Sequence, residues 1–318
     1  MQKKDIKIIF MGTPEFAVGT LQALVEGGYN VVAVVTQPDK PVGRHASTLR
    51  EPDVKVYAKQ HDIPVLQPVK MKDESFIEEL RSYNADLQVV VAFRMLPEVV
   101  WDMPRFGTFN VHAALLPQYR GAAPINWAII NGEKKTGVTT FFLDHDIDTG
   151  RIIRQKTFDI PDEADVEYVY DGLMKLGAQI AIETVDDIIN GDGIVSSMPQ
   201  EEMVEKTAEL HPAPKLFKDN CRIDWKRSVK EVYDFIRGLS PIPGAWGEVV
   251  LPNGRPIEMK FYKTKKTDRK AENVVPGTFV KEKKDCYIAC GDGLLELVTI
   301  QPAGKKRMDA VSFANGLH

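Results

Sequence analysis

The first 35 residues contain the feature that most restricts the fold, which is a strand, a helix and a second strand in close succession. Ile6–Phe10 is a short apolar run typical of a buried strand. Thr13 and Pro14 then predict the start of a helix, with Thr13 as the N-cap and Pro14 at the first helical position, and the helix is expected to end near Glu26. Val31–Val35 reads as the second strand. A strand–helix–strand unit of this length predicts a parallel sheet and therefore an α/β fold.

The first strand–helix turn argues against a nicotinamide cofactor. The turn at Met11–Phe16 holds one glycine, where the dinucleotide fingerprint has three. Pro14 also removes one backbone donor from the helix start, where a pyrophosphate would otherwise be bound. The sequence thus predicts a Rossmann-like order of elements with another ligand.

Two later strands are expected to end at the ligand-binding edge of the sheet. Leu87–Ala92 is almost entirely apolar, as in a central parallel strand, and Phe93–Pro97 is its C-terminal loop. Thr108–His112 alternates polar and apolar residues, so Asn110 and His112 share one face, roughly 6–7 Å apart along the strand. An amide and an imidazole at such an edge form a candidate catalytic pair.

The role of His112 stays open on these grounds alone. A histidine at a strand end is commonly a hydrogen-bonded core residue. Its imidazole is also the usual proton-transfer group near neutral pH, and Asn110 beside it favours that interpretation.

An acidic segment follows, in which Asp144, Asp146 and Asp148 alternate with other residues. A calcium loop of the EF-hand type is excluded, because Thr149 and Gln155 occupy the positions that require Gly and Glu. The remaining interpretation from spacing is an acidic turn.

A long loop is predicted from Thr36 to Pro52, and loops of this length in compact domains usually have a use. It contains Lys40 and Arg44 and few large apolar residues. It is either a surface insertion or a mobile basic arm that closes on an anionic partner.

The second half of the chain predicts a boundary and a change of fold. Val166–Asn190 has helical spacing and closes a first domain over residues 1–190, followed by a polar linker at 191–210 and a second domain at 211–318. Short strands separated by turn residues predict a small OB-like β-barrel there. The predicted strands are Trp246–Leu251, Ile257–Tyr262, Gly277–Val280, Asp285–Ala289 and Leu294–Gln301.

Charge and cysteine content narrow the possible partners. From Thr207 onward 20 Lys and Arg face 14 Asp and Glu, a balance of +6, whereas the preceding part carries −10. The basic C-terminal part is either a solvated surface or a surface that binds nucleic acid. Three cysteines without C-x-x-C spacing, the lack of a long apolar run and a polar N-terminus predict a cytoplasmic protein with buried thiols.

The pattern N-V-H-x-x-L-L-P-x-Y-R-G-A-x-P, followed by D-x-D-T-G, resembles the folate-dependent formyltransferases, and the resemblance covers almost the whole chain. It implies 10-formyltetrahydrofolate as co-substrate, no metal, and Asn110, His112 and Asp148 as the catalytic set. In this scheme an amine attacks the formyl carbon. Asn110 and protonated His112 stabilise the oxyanion, and Asp148 helps to remove the amine proton.

The resemblance also implies a folate-binding surface on two loops. Ala114 stands where the family usually has serine, and Phe93–Pro97 is one residue shorter than the common pattern, so the pterin pocket is expected to differ in shape. The residues implied to contact folate are Phe93, Met95, Leu96, Ala114, Leu115, Leu116 and Pro117.

Four further stretches, G-T-P-E-F, T-Q-P-D-K-P-V-G-R, R-I-D-W and Q-P-A-G-K-K-R, are similar to the branch of the family that formylates methionyl-initiator tRNA. A monomer is expected. An aminosugar-nucleotide formyltransferase and a non-catalytic RNA-binding protein on the same scaffold are the alternatives. The residues implied to bind tRNA are Lys40, Arg44, Lys305, Lys306 and Arg307.

Overall fold

The computed structural model describes residues 1–42, 48–204 and 208–317. Within these ranges the strands are β1 (Lys7–Gly12), β2 (Asn30–Val35), β3 (Lys40–Val42), β4 (Thr48–Arg50), β5 (Val65–Leu66), β6 (Leu87–Val91), β7 (Thr108–His112), β8 (Lys135–Phe142), β9 (Ile152–Asp159), β10 (Ala245–Val250), β11 (Pro256–Lys265), β12 (Phe279–Glu282), β13 (Asp285–Ala289), β14 (Leu294–Pro302) and β15 (Met308–Asp309). The α-helices are α1 (Glu15–Glu26), α2 (Asp53–Gln60), α3 (Glu74–Ser82), α4 (Glu98–Trp101), α5 (Pro124–Ile130), α6 (Val166–Asn190), α7 (Val229–Arg237) and α8 (Ala310–Asn315).

Among the described residues, seven strands form a mostly parallel sheet in the order β5-β2-β1-β6-β7-β8-β9. β1 lies between β2 and β6, and β6 pairs in parallel with β7. Every residue of β6 is buried, as its apolar run predicts for a strand covered on both faces. β8 reverses the direction and pairs with β7 in antiparallel fashion. The predicted α/β, Rossmann-like class is confirmed.

The start of α1 differs from the prediction by one residue. Pro14, not Thr13, is the N-cap, with φ −80° and ψ 173°, and no side chain caps the helix. An extended Pro14 lies outside the first helical turn, where its missing N–H costs nothing. The hydroxyl of Thr13 instead accepts a 3.5 Å hydrogen bond from Thr36.

The segment predicted as one long loop contains a β-hairpin, so that prediction was wrong in form. β3 pairs with β4 through Lys40↔Arg50 and Val42↔Thr48, and all six strand residues are exposed. A hairpin that buries neither face has no apolar alternation, which explains why the sequence did not indicate it. Arg44 falls within 43–47, outside the described residues.

The second sheet is antiparallel, in the order β10-β11-β14-β13-β12 with β15 on β14. A bridge between Val250 and Thr278 joins β10 to the start of β12 and brings the two edges together as a small barrel. The helix α7 begins with a capping box between Ser228 and Glu231 and packs against β11. The core includes Trp225, whose ring meets Phe261 edge-on at 5.1 Å.

The chain divides into two compact units. The first comprises Met1–Gly121, Gly137–Phe158 and Asp171–His211, and the second comprises Ala122–Thr136, Asp159–Tyr170 and Pro212–His318. Part of the predicted linker at 191–210 is structured within the first unit, because Met198 forms a bridge with Ile152 and Gln200–Glu202 forms a 3-10 turn.

Candidate active site

β7 brings Asn110 and His112 to the C-terminal end of the parallel sheet. Val90 pairs with Asn110 on one side, and Thr139 pairs with His112 on the other. His112 is 6% exposed, whereas Asn110 is partly exposed. Within the described residues the carboxamide of Asn110 has no hydrogen-bond partner, so its donor N–H groups are free for a ligand.

Both ring nitrogens of His112 face protein groups. Nε2 lies 2.8 Å from the backbone oxygen of Tyr119. A carbonyl oxygen can only accept, so Nε2 carries the proton in this contact. Nδ1 lies 3.8 Å from Oδ2 of Asp148, which is too long for a direct hydrogen bond. Nδ1 is therefore the ring nitrogen available for proton transfer, with a carboxylate beside it.

The loop after β7 presents the carbonyl that orients His112. Tyr119 has φ +59°, which turns the chain sharply, and its N–H donates to the His211 oxygen at 2.7 Å. The side chain of Gln118 adds two bonds to the same later segment, with the oxygen of Glu209 and the N–H of His211. The carbonyl of Tyr119 is thus held by contacts from outside its own loop.

Asp148 reaches the site from the loop between β8 and β9. Its φ is +56°, a left-handed conformation that costs most residues about 1–2 kcal/mol and that Asp tolerates better than most. Its carboxylate accepts a 2.9 Å hydrogen bond from the N–H of Gly121. A Cβ added to Gly150 would lie 1.7 Å from the Phe142 oxygen, so the loop packs against the end of β8 at a position that only glycine fits. The three residues predicted to be catalytic are therefore brought together.

Sequence analysis missed Gln200, which touches the same loops. Its Nε2 donates to the backbone oxygens of Asp148 and Gly150 at 2.8 and 2.9 Å, and its Oε1 accepts from Arg120. The side chain is 1% exposed. Gln200 lies in a polar stretch without periodicity. The sequence pattern therefore does not indicate that its side chain is buried.

The residues predicted to bind folate lie in two segments, which follow β6 and β7 at the same edge of the sheet. Val91 of β6 pairs with Val111 of β7, so the segments that follow these strands start side by side. Phe93 and Leu115 are partly buried and Met95 is 71% exposed, so each of the two segments has apolar side chains that a ligand can reach. The other four predicted residues, Leu96, Ala114, Leu116 and Pro117, are buried.

Two buried members of the folate set, Ala114 and Leu116, have their backbone groups bonded by side chains of β8 and β9. The Thr139 hydroxyl donates to the Ala114 oxygen at 2.6 Å and accepts from the Leu116 N–H at 3.1 Å. Nε2 of Gln155 donates to the Leu116 oxygen at 2.7 Å. A serine hydroxyl at position 114 is thus not needed to hold the backbone of this loop.

Arg94 ties the other folate segment to the neighbouring loop. Its guanidinium donates to the backbone oxygens of Pro68 and Val69, the latter at 2.9 Å. Nε is buried and has no hydrogen-bond partner, and burial lowers the pKa of the guanidinium. This side chain was not identified from the sequence, although it stands inside the Phe93–Pro97 segment.

Four of the five residues predicted to bind tRNA are exposed, each on its own unit, and the fifth, Arg44, falls outside the described residues. Lys40 is exposed at the start of β3. Lys305, Lys306 and Arg307 are exposed in the turn between β14 and β15, and the guanidinium of Arg307 stacks 3.6 Å from the ring centre of Tyr262. In the described part of the chain no carboxylate pairs with these four cations, so they are available to phosphates.

The described residues offer neither a metal site nor a membrane-spanning helix. Over residues 1–42, 48–204 and 208–317, no group of three or more His, Cys, Asp or Glu side chains is arranged to hold a metal ion. The helices described in these ranges are also too short or too polar to span a bilayer.

Comparison with known proteins identifies related sequences along nearly the whole chain. A family model described as formyl transferase matches residues 6–185, and a model described as formyl transferase, C-terminal domain, matches residues 215–318. A relative named methionyl-tRNA formyltransferase, from Parabacteroides distasonis, is 58% identical over 99% of this chain and 97% of its own length.

Two solved structures share the fold at low sequence identity. The N-formyltransferase from Helicobacter canadensis, in complex with folinic acid and dTDP-3-aminofucose, is 20% identical with a TM-score of 0.66, over 93% of this chain and 99% of its own. HypX from Aquifex aeolicus, in complex with tetrahydrofolic acid, is 19% identical with a TM-score of 0.63 over 96% of this chain. This chain spans only 46% of the HypX chain.

Proposed function

Because the chain belongs to the formyl transferase family, we propose that it transfers the formyl group of 10-formyltetrahydrofolate to the amino group of methionyl-initiator tRNA. The product is the N-formylmethionyl-tRNA used to start translation. The observation that carries the proposal is that Asn110 and His112 share the end of β7 and that the Asp148 carboxylate lies 3.8 Å from Nδ1 of His112. The full-length relative at 58% identity favours a tRNA acceptor over an aminosugar nucleotide.

Asn110 acts as the oxyanion donor. Attack of the amine on the formyl carbon moves negative charge onto the formyl oxygen, and an N–H donor stabilises that charge more than it stabilises the starting carbonyl. The carboxamide of Asn110 is partly exposed and, among the described residues, unbonded. It can turn towards the oxygen without breaking a protein contact.

His112 and Asp148 handle the proton. The attacking amine must lose a proton, and N10 of the folate must gain one when its bond to the formyl carbon breaks. Nδ1 of His112 accepts the first and returns it to the leaving nitrogen, while the carboxylate 3.8 Å away stabilises the intervening imidazolium. Because Nε2 is bonded to the Tyr119 oxygen, protonated His112 stabilises the oxyanion through Nδ1–H or through the positive charge of its ring.

The co-substrate supplies the activated formyl group, and the chain supplies its binding surface. Phe93, Met95 and Leu115 contact the pterin, while Leu96, Ala114, Leu116 and Pro117 shape the two loops from beneath. The predicted first domain, residues 1–190, performs most of the chemistry, helped by Gln200 from the predicted linker at 191–210. The predicted second domain, residues 211–318, holds most of the tRNA. Lys40, Arg44, Lys305, Lys306 and Arg307 contact tRNA phosphates. The protein works as a cytoplasmic monomer.

A competition between acceptors tests the proposal. Purified protein is given 10-formyltetrahydrofolate labelled in the formyl carbon, with methionyl-initiator tRNA, methionyl-elongator tRNA and a dTDP-aminosugar in separate reactions. Label should appear as formylmethionine that mild alkali releases from initiator tRNA, with much less on the other two acceptors. Preferential labelling of the sugar would establish the alternative enzyme, and no labelling of any acceptor would favour a non-catalytic RNA-binding protein.

A further inference from the structure

Gln200 is buried at the centre of a network that joins the two catalytic loops. A neutral carboxamide has two N–H donors and two acceptor lone pairs. All four are used, since Nε2 donates to the Asp148 and Gly150 oxygens at 2.8 and 2.9 Å, and Oε1 accepts from Nε and Nη2 of Arg120 at 3.1 and 2.7 Å. A fully used amide at 1% exposure has a fixed orientation.

The two donated bonds act on the backbone of the Asp148 loop. Asp148 has φ +56°, a conformation that persists only where surrounding contacts hold it. The bond to its own carbonyl fixes the peptide plane that follows it, and the bond to the Gly150 oxygen fixes the chain two residues later. With the backbone in this conformation the carboxylate reaches the Gly121 N–H and faces Nδ1 of His112.

The two accepted bonds act on the loop that orients His112. Arg120 lies between Tyr119, whose oxygen contacts Nε2 of His112, and Gly121, whose N–H contacts Asp148. Its guanidinium is held by the Gln200 oxygen. One carboxamide therefore sets the spacing between the His112 side and the Asp148 side of the site.

We infer that Gln200 is a positioning residue of the active site, which holds Asp148 and the Tyr119–Gly121 backbone at the separation that proton transfer through His112 requires. The same part of the chain leads on to His211, whose backbone oxygen accepts a hydrogen bond from the Tyr119 N–H. Gln200 and His211 thus both contact the Tyr119–Gly121 segment or its side chains. The kinetic part of this inference rests on the proposed formyl transfer. The structural part does not.

The first readout is independent of any substrate. Gln200→Leu removes both donations, so Asp148 should relax and release the Gly121 amide. Hydrogen exchange of that amide, measured by NMR, should then be at least about tenfold faster than in the wild type and should match the rate in Asp148→Ala. An unchanged exchange rate would overturn the inference, whether or not the protein formylates tRNA.

The second readout is kinetic. Gln200→Leu and Gln200→Glu should each lower kcat by about 10- to 100-fold, with KM for both substrates within about twofold of wild type, because misplacement affects the chemical step. Gln200→Glu keeps an acceptor for Arg120 but turns a carboxylate towards two carbonyl oxygens. Protonation restores one donor, so the ratio of its kcat to that of wild type should rise as the pH falls from 8 to 6.

A matched control separates positioning from general destabilisation. Thr184→Val removes another buried hydrogen bond of the same unit, the 2.8 Å contact between Thr184 and Thr140, neither of which belongs to the Asp148 loop or to the Tyr119–Gly121 segment. Its kcat should stay within about twofold of wild type. A loss in this control equal to that of Gln200→Leu, or a Gln200→Leu defect confined to KM, would contradict the positioning role. Inactive wild-type protein with fast Gly121 exchange in Gln200→Leu would refute the proposed function alone.

Discussion

At the scale of single residues, the imidazole of His112 is oriented by a neighbour at each ring nitrogen. Its Nε2 is bonded to a backbone oxygen and its Nδ1 faces a carboxylate, so the ring is oriented before any substrate arrives. Preorganisation of this kind reduces the free energy needed to align groups in the transition state. The carboxamide of Asn110, on the same strand face, has no hydrogen-bond partner within the described residues and can donate to a substrate.

The three cysteines illustrate the opposite situation, in which burial suppresses reactivity. Cys221, Cys286 and Cys290 are each at most 2% exposed. Burial raises the pKa of all three thiols, and that of Cys290 to about 12. A pKa above the solution pH leaves the thiol neutral, so a maleimide at pH 7.5 should label none in the folded protein and all three after denaturation. Complete labelling of any one in the native state would contradict this burial.

At the scale of elements, the end of β8 determines where Asp148 lies. Gly150 approaches the Phe142 oxygen so closely that an added Cβ would lie 1.7 Å from it. Gly150→Ala should therefore displace the loop, lower the free energy of unfolding by about 1–3 kcal/mol and reduce kcat at least tenfold. Denaturant melts and steady-state kinetics provide the measurement. Gly316→Ala, where the nearest atom is 3.5 Å away, is the control and should change neither.

Arg94 holds the loop after β6 against the neighbouring Pro68–Val69 backbone. Arg94→Leu removes the donors to the Pro68 and Val69 oxygens and frees the Phe93–Pro97 segment. Loss of charged hydrogen bonds of this kind should raise KM for 10-formyltetrahydrofolate about tenfold, with a smaller effect on kcat. Arg105→Leu, which breaks an exposed ion pair with Asp86, should leave KM unchanged. An effect on tRNA affinity alone would refute the folate role of this loop.

Sequence patterns predicted the parts of this structure that depend on local periodicity and burial. β7 was identified because polar and apolar residues alternate, and α6 because its apolar residues recur at helical spacing. The approach of Asp148 to His112 depends on the antiparallel register of β7 and β8, which periodicity does not encode. Gln200 and the β3–β4 hairpin were missed for related reasons, since one is a polar residue fixed by tertiary contacts and the other has no buried face.

At the scale of the whole molecule, the uneven charge of the chain predicts how it binds tRNA. Replacing Lys305, Lys306 and Arg307 together by glutamine should weaken every tRNA similarly. It should also make the slope of log affinity against log salt shallower by about 2 to 3, as expected for three lost phosphate contacts. A slope equal to that of wild type would place the contact elsewhere. The control replaces three exposed lysines of the first unit, namely Lys4, Lys70 and Lys72.

The side chains at the end of β7 are proposed to perform formyl transfer. The test is single-turnover kinetics of Asn110→Ala with saturating methionyl-initiator tRNA and 10-formyltetrahydrofolate. Loss of the oxyanion donor should slow the chemical step by about 10²–10³-fold. Equilibrium affinities for folate and tRNA, measured on the same preparation, should change less than about threefold. A single-turnover rate within about threefold of wild type would remove Asn110 from the mechanism and contradict the account.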